Sequence, residues 1–342
     1  MERITVARLV APGKMSITTE TVDPCPAEGE AVVRVKVVGI CGTDVHIFRG
    51  QRSDVVLPRI MGHELSGQVT AIGRGVENVR PGDRVVLDPV IACGHCKACR
   101  NGYGNVCAQV KCYGVQMDGG LRDLITVKAK TLHVIPDGVG DLEAALVEPF
   151  SIASNILNRA RARAGEDMVI LGAGTIGLAI LQAAKGMGLR VLIGDISARK
   201  VEKAQRLHAD VTVNTSRDSF AEAVRAFAPE GADVLVDAVG VTPLLEQVIE
   251  LCGPRSRVVV IGFDDRPMSV PPVRITKSEI SLIGSRMNAH RFPEALDWFA
   301  KGSVDPMAMV DRVFSINDAQ QAFDLAASNP DITKILLRFD EK

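Results

Sequence analysis

Apolar and polar positions follow two different patterns along this chain. Up to about residue 145, short β-branched runs such as AVVRVKVV and GQVTAIG alternate with Gly/Pro turns, which predicts an irregular, mostly antiparallel β-domain. From Glu148 to about Gly284, apolar runs alternate with segments of helical period such as ARKVEKAQRL. The predicted strands there are 168–171, 190–194, 211–214, 233–237, 257–262 and 279–284. Six strands separated by crossovers predict an α/β fold with a doubly wound parallel sheet.

The ends of the chain continue these patterns. MERITVARLV alternates charged and apolar residues without a continuous apolar core, so it predicts a first strand and not an export signal. From about Ser285, helix-like RFPEALDWFAKG and INDAQQAFDLAAS precede a closing strand, KILLRF. A chain of 342 residues exceeds the usual size of one hydrophobic core, so two domains are expected.

Composition narrows the possible partners. The formal net charge is -1 and no basic run stands out, which gives no electrostatic reason to expect nucleic acid or an anionic membrane. The apolar stretch from Met168 through VILGAGTIGLAILQAA is long enough to resemble a membrane span. Its three glycines, Thr175 and Gln182 favour a strand–turn–helix instead. We therefore expect a soluble, cytoplasmic protein.

The turn within that stretch predicts a dinucleotide site. Its G-x-G-x-x-G motif follows an apolar strand and opens an apolar helix, whose N-terminus supplies amides for a pyrophosphate. Asp195, at the end of the second strand, would accept hydrogen bonds from ribose hydroxyls and repel a 2′-phosphate, so we predict NAD over NADP. Arg199 and Lys200 lie close behind and would soften that preference. The predicted cofactor-binding residues are Gly172, Gly174, Thr175, Ile176, Gly177, Asp195 and Arg199.

Eight cysteines are present, and four of them fall within fifteen residues. The spacing Cys93-x-x-Cys96-x-x-Cys99-x7-Cys107 allows four thiolates to surround one tetrahedral ion. Zinc suits such a closed, structural site, and an iron–sulfur centre is the chemical alternative. His95 is surplus to four thiolates, and Cys25, Cys112 and Cys252 are interpreted as ordinary buried thiols.

A second set of ligand-type residues is dispersed. Cys41 opens C-G-T-D-V-H, His63 and Glu64 follow Gly62, and Glu148-Pro149 lies where the two patterns meet. Together they offer thiolate, imidazole and carboxylate groups that leave one position for water or substrate, as a catalytic zinc requires.

These motifs, in this order, resemble the zinc-containing medium-chain alcohol dehydrogenases. The G-H-E motif with its spaced glycines (Gly62 to Val76), the C-x-T-D-x-H element, the four-cysteine lobe and the later G-x-G-x-x-G cover essentially the whole chain. The resemblance implies a GroES-like catalytic domain at 1–147 and 285–342, with its zinc lobe at about 90–110, and a Rossmann domain at 148–284.

The resemblance also assigns roles to residues. It implies one catalytic zinc held by Cys41, His63 and Glu64, with Glu148 binding directly or through water, and one structural zinc held by the four clustered cysteines. Thr43 and His46 match the hydroxyl and imidazole of a proton relay. Zinc would lower the pKa of the substrate hydroxyl, and hydride would pass to the nicotinamide.

The expected substrate is a small hydrophilic secondary alcohol. Glu64, Glu148 and the segment around Arg286 look like the polyol, sugar-acid and threonine dehydrogenase branches. Arg286 would hydrogen-bond hydroxyls or clamp a carboxylate, with contact to cofactor phosphate or solvent as the alternative. L-threonine is the second substrate considered, and a non-catalytic NAD- or zinc-binding protein is the alternative of another class. Relatives imply a homo-oligomer, a tetramer in preference to a dimer.

Overall fold

The computed structural model describes residues 1–339. Its strands are β1 (Glu2–Ala11), β2 (Lys14–Val22), β3 (Glu30–Ile40), β4 (Glu64–Ile72), β5 (Arg84–Leu87), β6 (Val90–Ile91), β7 (Lys111–Cys112), β8 (Leu124–Lys128), β9 (Leu132–Val134), β10 (Asp167–Leu171), β11 (Arg190–Asp195), β12 (Val211–Asn214), β13 (Ala232–Asp237), β14 (Cys252–Val260), β15 (Ser281–Gly284), β16 (Val310–Ser315) and β17 (Lys334–Arg338). Its α-helices are α1 (Gly42–Phe48), α2 (Lys97–Arg100), α3 (Asp141–Ala144), α4 (Val147–Ala160), α5 (Thr175–Gly186), α6 (Ala198–Arg206), α7 (Phe220–Phe227), α8 (Thr242–Glu250), α9 (Pro272–Ser278), α10 (Phe292–Ala300) and α11 (Ala319–Ser328).

The chain divides into two compact units. The first contains Met1–Glu148, Phe292–Ala300 and the chain from Val310 onward, and the second contains Pro149–Arg291 and Lys301–Met309. Two stretches of the segment 285–342, which the sequence assigned to the GroES-like part, cluster with the second unit: residues 285–291 and Lys301–Met309.

The first unit is built on an antiparallel sheet with the strand order β16-β17-β3-β4-β5-β9, and β8 also pairs with β3. Every pair in it is antiparallel except β16–β17. The predicted, mostly antiparallel β-domain is confirmed. Because β17 pairs with β3, the closing strand of the chain lies beside residues near its beginning, with Ile335 opposite Ile40. β1 and β2 form a separate hairpin.

The second unit contains the predicted parallel sheet, with the order β12-β11-β10-β13-β14-β15. All five strand pairs are parallel, and all six predicted strands are present. The last strand begins two residues later than predicted, at Ser281, because Glu279 ends α9 in a left-handed conformation with φ of 49°. The strand order changes direction between β10 and β13, which in open α/β sheets marks the crevice for ligands.

The turn from β10 into α5 depends on two glycines. Gly172 has a φ of 105°, a conformation that residues with a side chain rarely adopt. A Cβ on Gly177 would lie 1.9 Å from the carbonyl oxygen of Gly172, so the first turn of α5 packs directly on the preceding loop. The apolar stretch from Met168 is therefore the expected strand–turn–helix, and within residues 1–339 no helix is long and apolar enough to cross a membrane.

This packing makes a stability prediction. Gly177→Ala should lower the free energy of unfolding by about 1–3 kcal/mol, since the added methyl group meets backbone that has to move. Gly174→Ala is the matched control, because a Cβ there meets open space and its φ of -73° is ordinary. Chemical denaturation measures both variants. Equal stability of the two would show that the Gly172–Gly177 contact does not constrain the turn.

Candidate metal centres and dinucleotide site

Cys41, His63 and Glu64 are brought together by the ends of two paired strands. Cys41 directly follows β3 and is the N-cap of α1, whereas Glu64 is the first residue of β4. One ligand-type atom of each residue lies within 4.8 Å of the others. Gly39 stands opposite Glu64 in the β3–β4 register, and a Cβ at Gly39 would lie 2.2 Å from Glu64 Oε2. A glycine is therefore needed there to leave room for the carboxylate.

Asp44 connects the segments that carry Cys41 and His63. It is fully buried, and its Oδ2 accepts a hydrogen bond of 2.9 Å from the backbone N–H of Cys41. Its Oδ1 lies 3.5 Å from both the Gly62 nitrogen and His63 Nδ1. A carboxylate behind a ligating imidazole orients the ring, so Asp44 belongs to the site although the sequence analysis gave it no role. The sequence signal that could have identified Asp44 is its position three residues after Cys41, the N-cap of α1, where a carboxylate bonds back to the N-cap N–H.

Lys334, at the start of β17, is the second residue that the sequence analysis missed. Its ammonium group is completely buried and donates to Glu64 Oε1 at 2.9 Å, Glu64 Oε2 at 2.6 Å and the Ile40 carbonyl at 3.1 Å. Burial lowers the pKa of Lys334, but the negative charges of Glu64 and Cys41 outweigh it and raise that pKa above its usual value. Lys334 therefore contacts both oxygens of Glu64, the carboxylate of the three-residue cluster.

Glu148 is buried in the first turn of α4. Burial raises its pKa to about 8, with a further upward contribution from Glu64 and opposing ones from His63 and Lys334. It does not belong to the three-residue group formed within residues 1–339 by Cys41, His63 and Glu64. Glu148 therefore interacts with the cluster through its charge, not as a fourth member of the group.

The chemistry of this cluster fits a zinc ion. Burial lowers the pKa of His63, but the charges of Asp44 and Cys41 raise it well above its usual value, so the surroundings favour a positive charge at this point. His63 Nδ1 is buried, and apart from its ionic contact of 3.5 Å with Asp44 Oδ1 it has no hydrogen-bond partner among residues 1–339. Thiolate, imidazole and carboxylate form the donor set of an open, catalytic zinc site.

Thr43 and His46 lie on α1, directly after Cys41. Thr43 is half-buried and His46 is exposed. Nδ1 of His46 lies 2.7 Å from Oε1 of Gln51. Because an amide oxygen only accepts, this contact places the proton on Nδ1 and leaves Nε2 as an acceptor. Helix α1 therefore carries a half-buried hydroxyl at Thr43 and an exposed imidazole at His46.

The four clustered cysteines converge as the spacing predicts. The Sγ–Sγ distances are 3.4 Å for Cys96–Cys99, 3.8 Å for Cys96–Cys107 and 3.9 Å for Cys93–Cys99. Four Zn–S bonds of about 2.3 Å in a tetrahedron place the sulfur atoms about 3.8 Å apart, so the arrangement fits one metal ion. The backbone N–H of Cys99 lowers the pKa of Cys96, whereas burial raises the pKa of Cys99 to about 12.

The remaining cysteines and His95 contribute no ligand to this cluster. His95 is exposed, and its Nδ1 lies 3.0 Å from the Cys93 carbonyl oxygen. Cys112 and Cys252 are buried as expected, but the prediction of a buried thiol is wrong for Cys25, which is exposed. Cys25 lies between two prolines in the loop from β2 to β3, outside both strands, so no sheet covers it.

In the second unit, Asp195 is tied to the glycine-rich turn. Its Oδ2 accepts a hydrogen bond of 2.7 Å from the Ala173 N–H and its Oδ1 accepts one of 2.8 Å from the Ser197 N–H. Each oxygen keeps a further lone pair, so the carboxylate can still accept from ribose hydroxyls. Gly174, Thr175 and Ile176 are half-buried at the start of α5, and Arg199 is exposed on α6. The predicted cofactor residues therefore surround one turn, except Arg199, which lies at the edge.

Arg286 follows β15, at the carboxyl end of the parallel sheet. Its guanidinium carbon lies 5.9 Å from the ring centroid of Phe263, which follows the adjacent strand β14. At this distance a guanidinium and an aromatic ring attract each other.

Comparisons with known proteins identify both parts of the chain, the one with the metal centres and the one with the glycine-rich turn. The family model for the alcohol dehydrogenase GroES-like domain matches residues 27–137, and that for zinc-binding dehydrogenase matches residues 175–301. The starvation-sensing protein RspB of Escherichia coli K12 is 36% identical over 335 residues, which cover 96% of this chain and 98% of that protein. The 2-dehydro-3-deoxy-L-galactonate 5-dehydrogenase of Pseudoalteromonas atlantica is 35% identical, covering 91% of this chain and 92% of that protein.

A solved structure extends the similarity to three dimensions. The NADH complex of RspB, described as an alcohol dehydrogenase from Escherichia coli CFT073, has a TM-score of 0.94 and 35% identity, covering 99% of this chain and 100% of that one.

The buried Lys334–Glu64 pair yields a prediction for stability. Lys334→Met should lower the free energy of unfolding by about 3–5 kcal/mol, because Glu64 is left buried without its cation. Lys14→Met, at an exposed lysine of the same unit, should change it by less than about 0.5 kcal/mol. Urea denaturation measures both variants. Adding Glu64→Gln to Lys334→Met should restore part of the loss, and a double variant no more stable than Lys334→Met would argue against charge as the cause.

Proposed function

Because the chain belongs to the zinc-dependent medium-chain dehydrogenase/reductase family, we propose that it transfers hydride from a secondary alcohol of a polyol or sugar acid to NAD. The observation that carries this proposal is the cluster of half-buried Cys41 with buried His63 and Glu64, whose surroundings favour a positive charge. We assign the metal chemistry to the GroES-like part, residues 1–147 and 285–342, and cofactor binding to the Rossmann part, 148–284. The relative that oxidises a sugar acid at a secondary carbon, by its name, supports the substrate class.

The catalytic zinc would be held by Cys41, His63 and Glu64, with Glu148 as a further carboxylate near it. When bound, zinc supplies Lewis acidity that lowers the pKa of the substrate hydroxyl. Asp44 orients His63, and Lys334 fixes the carboxylate of Glu64 while offsetting its charge. A second, structural zinc would be held by Cys93, Cys96, Cys99 and Cys107, whose sulfur distances match a tetrahedral site.

Thr43 would accept the proton of the substrate hydroxyl while its own hydroxyl proton moves toward His46, from which a proton leaves to solvent. The hydrogen bond of His46 to Gln51 supports this direction, because it leaves Nε2 as the accepting atom on an exposed ring. The side chains of α1 therefore hold and move the proton.

The nicotinamide cofactor would lie on the turn formed by Gly172, Gly174, Thr175, Ile176 and Gly177. Backbone amides at the start of α5 would bind its pyrophosphate. Asp195 would accept from the ribose hydroxyls and disfavour a 2′-phosphate, which supports NAD over NADP. The NADH complex of RspB is consistent with this preference.

The alcohol would be small and hydrophilic, with Arg286 donating to its hydroxyl or carboxylate group. A guanidinium binds a carboxylate through two parallel N–H donors, which gives acidic substrates the larger benefit. Arg286 is half-buried, a position from which it can reach a ligand.

We further propose a cytoplasmic homo-oligomer, a tetramer in preference to a dimer. All eight cysteines are free of disulfides in the structure, as a reducing compartment requires. β15 is an edge strand, and Leu282 on it and Val273 on α9 are exposed apolar residues. Exposed strand edges with apolar neighbours favour pairing with another chain.

The proposal of two zinc ions per chain can be tested at the four-cysteine lobe. Cys99→Ser should lower the zinc content from two ions to one, since three thiolates and a hydroxyl bind zinc weakly. Cys25→Ser, which changes an exposed thiol outside the cluster, should keep both ions. Elemental analysis of the purified variants measures this. Iron with acid-labile sulfide in the wild type would instead identify the lobe as an iron–sulfur site.

The proposed reaction is tested by NAD⁺ reduction in the zinc-loaded enzyme, followed by absorbance. The substrates are alditols, aldonic and uronic-derived acids, L-threonine and simple alcohols, each repeated with NADP⁺. A preference for polyols or sugar acids with NAD⁺ is expected. Thr43→Ala should lower kcat about 10²–10⁴-fold with zinc retained, and Thr43→Ser, which keeps the hydroxyl, should retain most activity.

The other outcomes of this panel each point to a different function. Turnover of L-threonine alone would identify a threonine dehydrogenase. Zinc and NADH binding without turnover of any substrate would contradict the reaction and favour a non-catalytic binding protein. Near-normal activity of Thr43→Ala would remove Thr43 from the proton relay.

A further inference from the structure

The segment that carries Arg286 has an unusual backbone. Met287, Ala289 and His290 have φ values of 52°, 46° and 65°, so three residues within four adopt the left-handed conformation without being glycine. Each such residue costs about 1–2 kcal/mol relative to the right-handed form. A backbone of this kind persists only where its surroundings impose it, and such segments concentrate at binding sites.

One buried side chain contacts the start of this segment at three points. Asn155, in the middle of α4, is 1% exposed. Its Nδ2 donates to Ser285 Oγ at 3.2 Å, to the Arg286 carbonyl at 3.2 Å and to the Met287 carbonyl at 2.8 Å. An amide nitrogen has two hydrogens, so these three acceptors share them. Asn155 therefore holds the two peptide groups that follow the Cα of Arg286, and it also contacts the side chain of the residue before it.

Neighbouring contacts support the same segment. Arg159, one turn later on α4, donates from Nε to the Gly284 carbonyl at 3.1 Å. Asn288 is buried, and its Oδ1 accepts a hydrogen bond of 3.0 Å from the His290 N–H. Of these polar contacts, only those of Asn155 reach the carbonyl of Arg286 itself.

We propose that Asn155 is a positioning residue that aims the guanidinium of Arg286 and thereby sets the preference of the site for acidic over neutral substrates. This inference rests on the proposed function, because it concerns the substrate contact of Arg286. Without the donors of Asn155, left-handed Met287 loses the contact at its carbonyl that opposes its conformational cost. The Arg286 backbone then relaxes, and its side chain no longer holds a carboxylate in bidentate geometry.

The test compares Asn155→Leu, which keeps the branched shape without N–H donors, with Asn158→Leu at an exposed position of the same helix. The substrates are the aldonic acid that the wild type oxidises fastest and the alditol of the same configuration. For Asn155→Leu, the ratio of kcat/KM for the acid to kcat/KM for the alditol should fall about tenfold or more, through KM. Asn158→Leu should leave that ratio unchanged.

A double-variant cycle separates positioning from a purely structural role. Arg286→Ala should reduce the same ratio, and adding Asn155→Leu to it should produce little further loss, because both changes remove one interaction. Additive losses, or an equal loss for acid and alditol in Asn155→Leu, would overturn the proposal. If Asn155→Leu does not fold, Asn155→Asp replaces it, since the carboxylate has the same shape and no N–H donor.

Hydrogen–deuterium exchange tests, without using activity, whether Asn155 holds the segment 285–291 in place. Amides of residues 285–291 should exchange at least about tenfold faster in Asn155→Leu than in the wild type or Asn158→Leu. Unchanged exchange would show that Asn155 does not hold this segment, even if the enzyme oxidises sugar acids. A wild type that oxidises no hydroxylated acid would instead reject the proposed function, and the selectivity role of Asn155 with it.

Discussion

The buried ion pair between Lys334 and Glu64 is the interaction on which the rest of the metal centre depends. Glu64 begins β4, Cys41 follows β3 and Lys334 begins β17, so three adjacent strands deliver the ligands and their counter-charge to one place. The register fixes this arrangement, because Gly39 faces Glu64 and Ile40 faces Ile335. A buried carboxylate is tolerated only with a compensating charge, so the closing strand is required for the site near the beginning of the chain.

The same pair determines how much charge the centre holds. Cys41, Asp44, Glu64 and Glu148 can each carry one negative charge, which Lys334 and a protonated His63 offset only in part. Without a further cation, burial keeps the pKa of Glu148 near 8, so this carboxyl group retains its proton at neutral pH. The two positive charges of a zinc ion would lower the pKa of Glu148 and of His63. Metal binding would therefore be accompanied by proton release.

The sequence allowed prediction of those features that have a local pattern. Six parallel strands followed from apolar periodicity, the tight turn at Gly172 from glycine spacing and the thiol cluster from cysteine spacing. Lys334, Asp44 and Asn155 escaped prediction for a different reason. Lys334 lies 270 residues from Glu64 and Asn155 lies 131 residues from Arg286, so only the folded chain brings each to its partner. Asp44 was visible inside C-G-T-D-V-H, but its contact with His63 depends on the same long-range folding.

The two metal centres differ in what holds their ligands in place. At the Cys41 centre, Asp44 binds the Cys41 N–H and Lys334 binds Glu64, and both supports are buried and made by the protein alone. The four-cysteine lobe has few such buried supports, because α2 buries no residue and β6 and β7 have two residues each. Supports made by the chain pre-organise a site for its ion, whereas a lobe without a core takes its stability from the metal. Loss of zinc should therefore disorder the lobe while the catalytic cluster keeps its geometry.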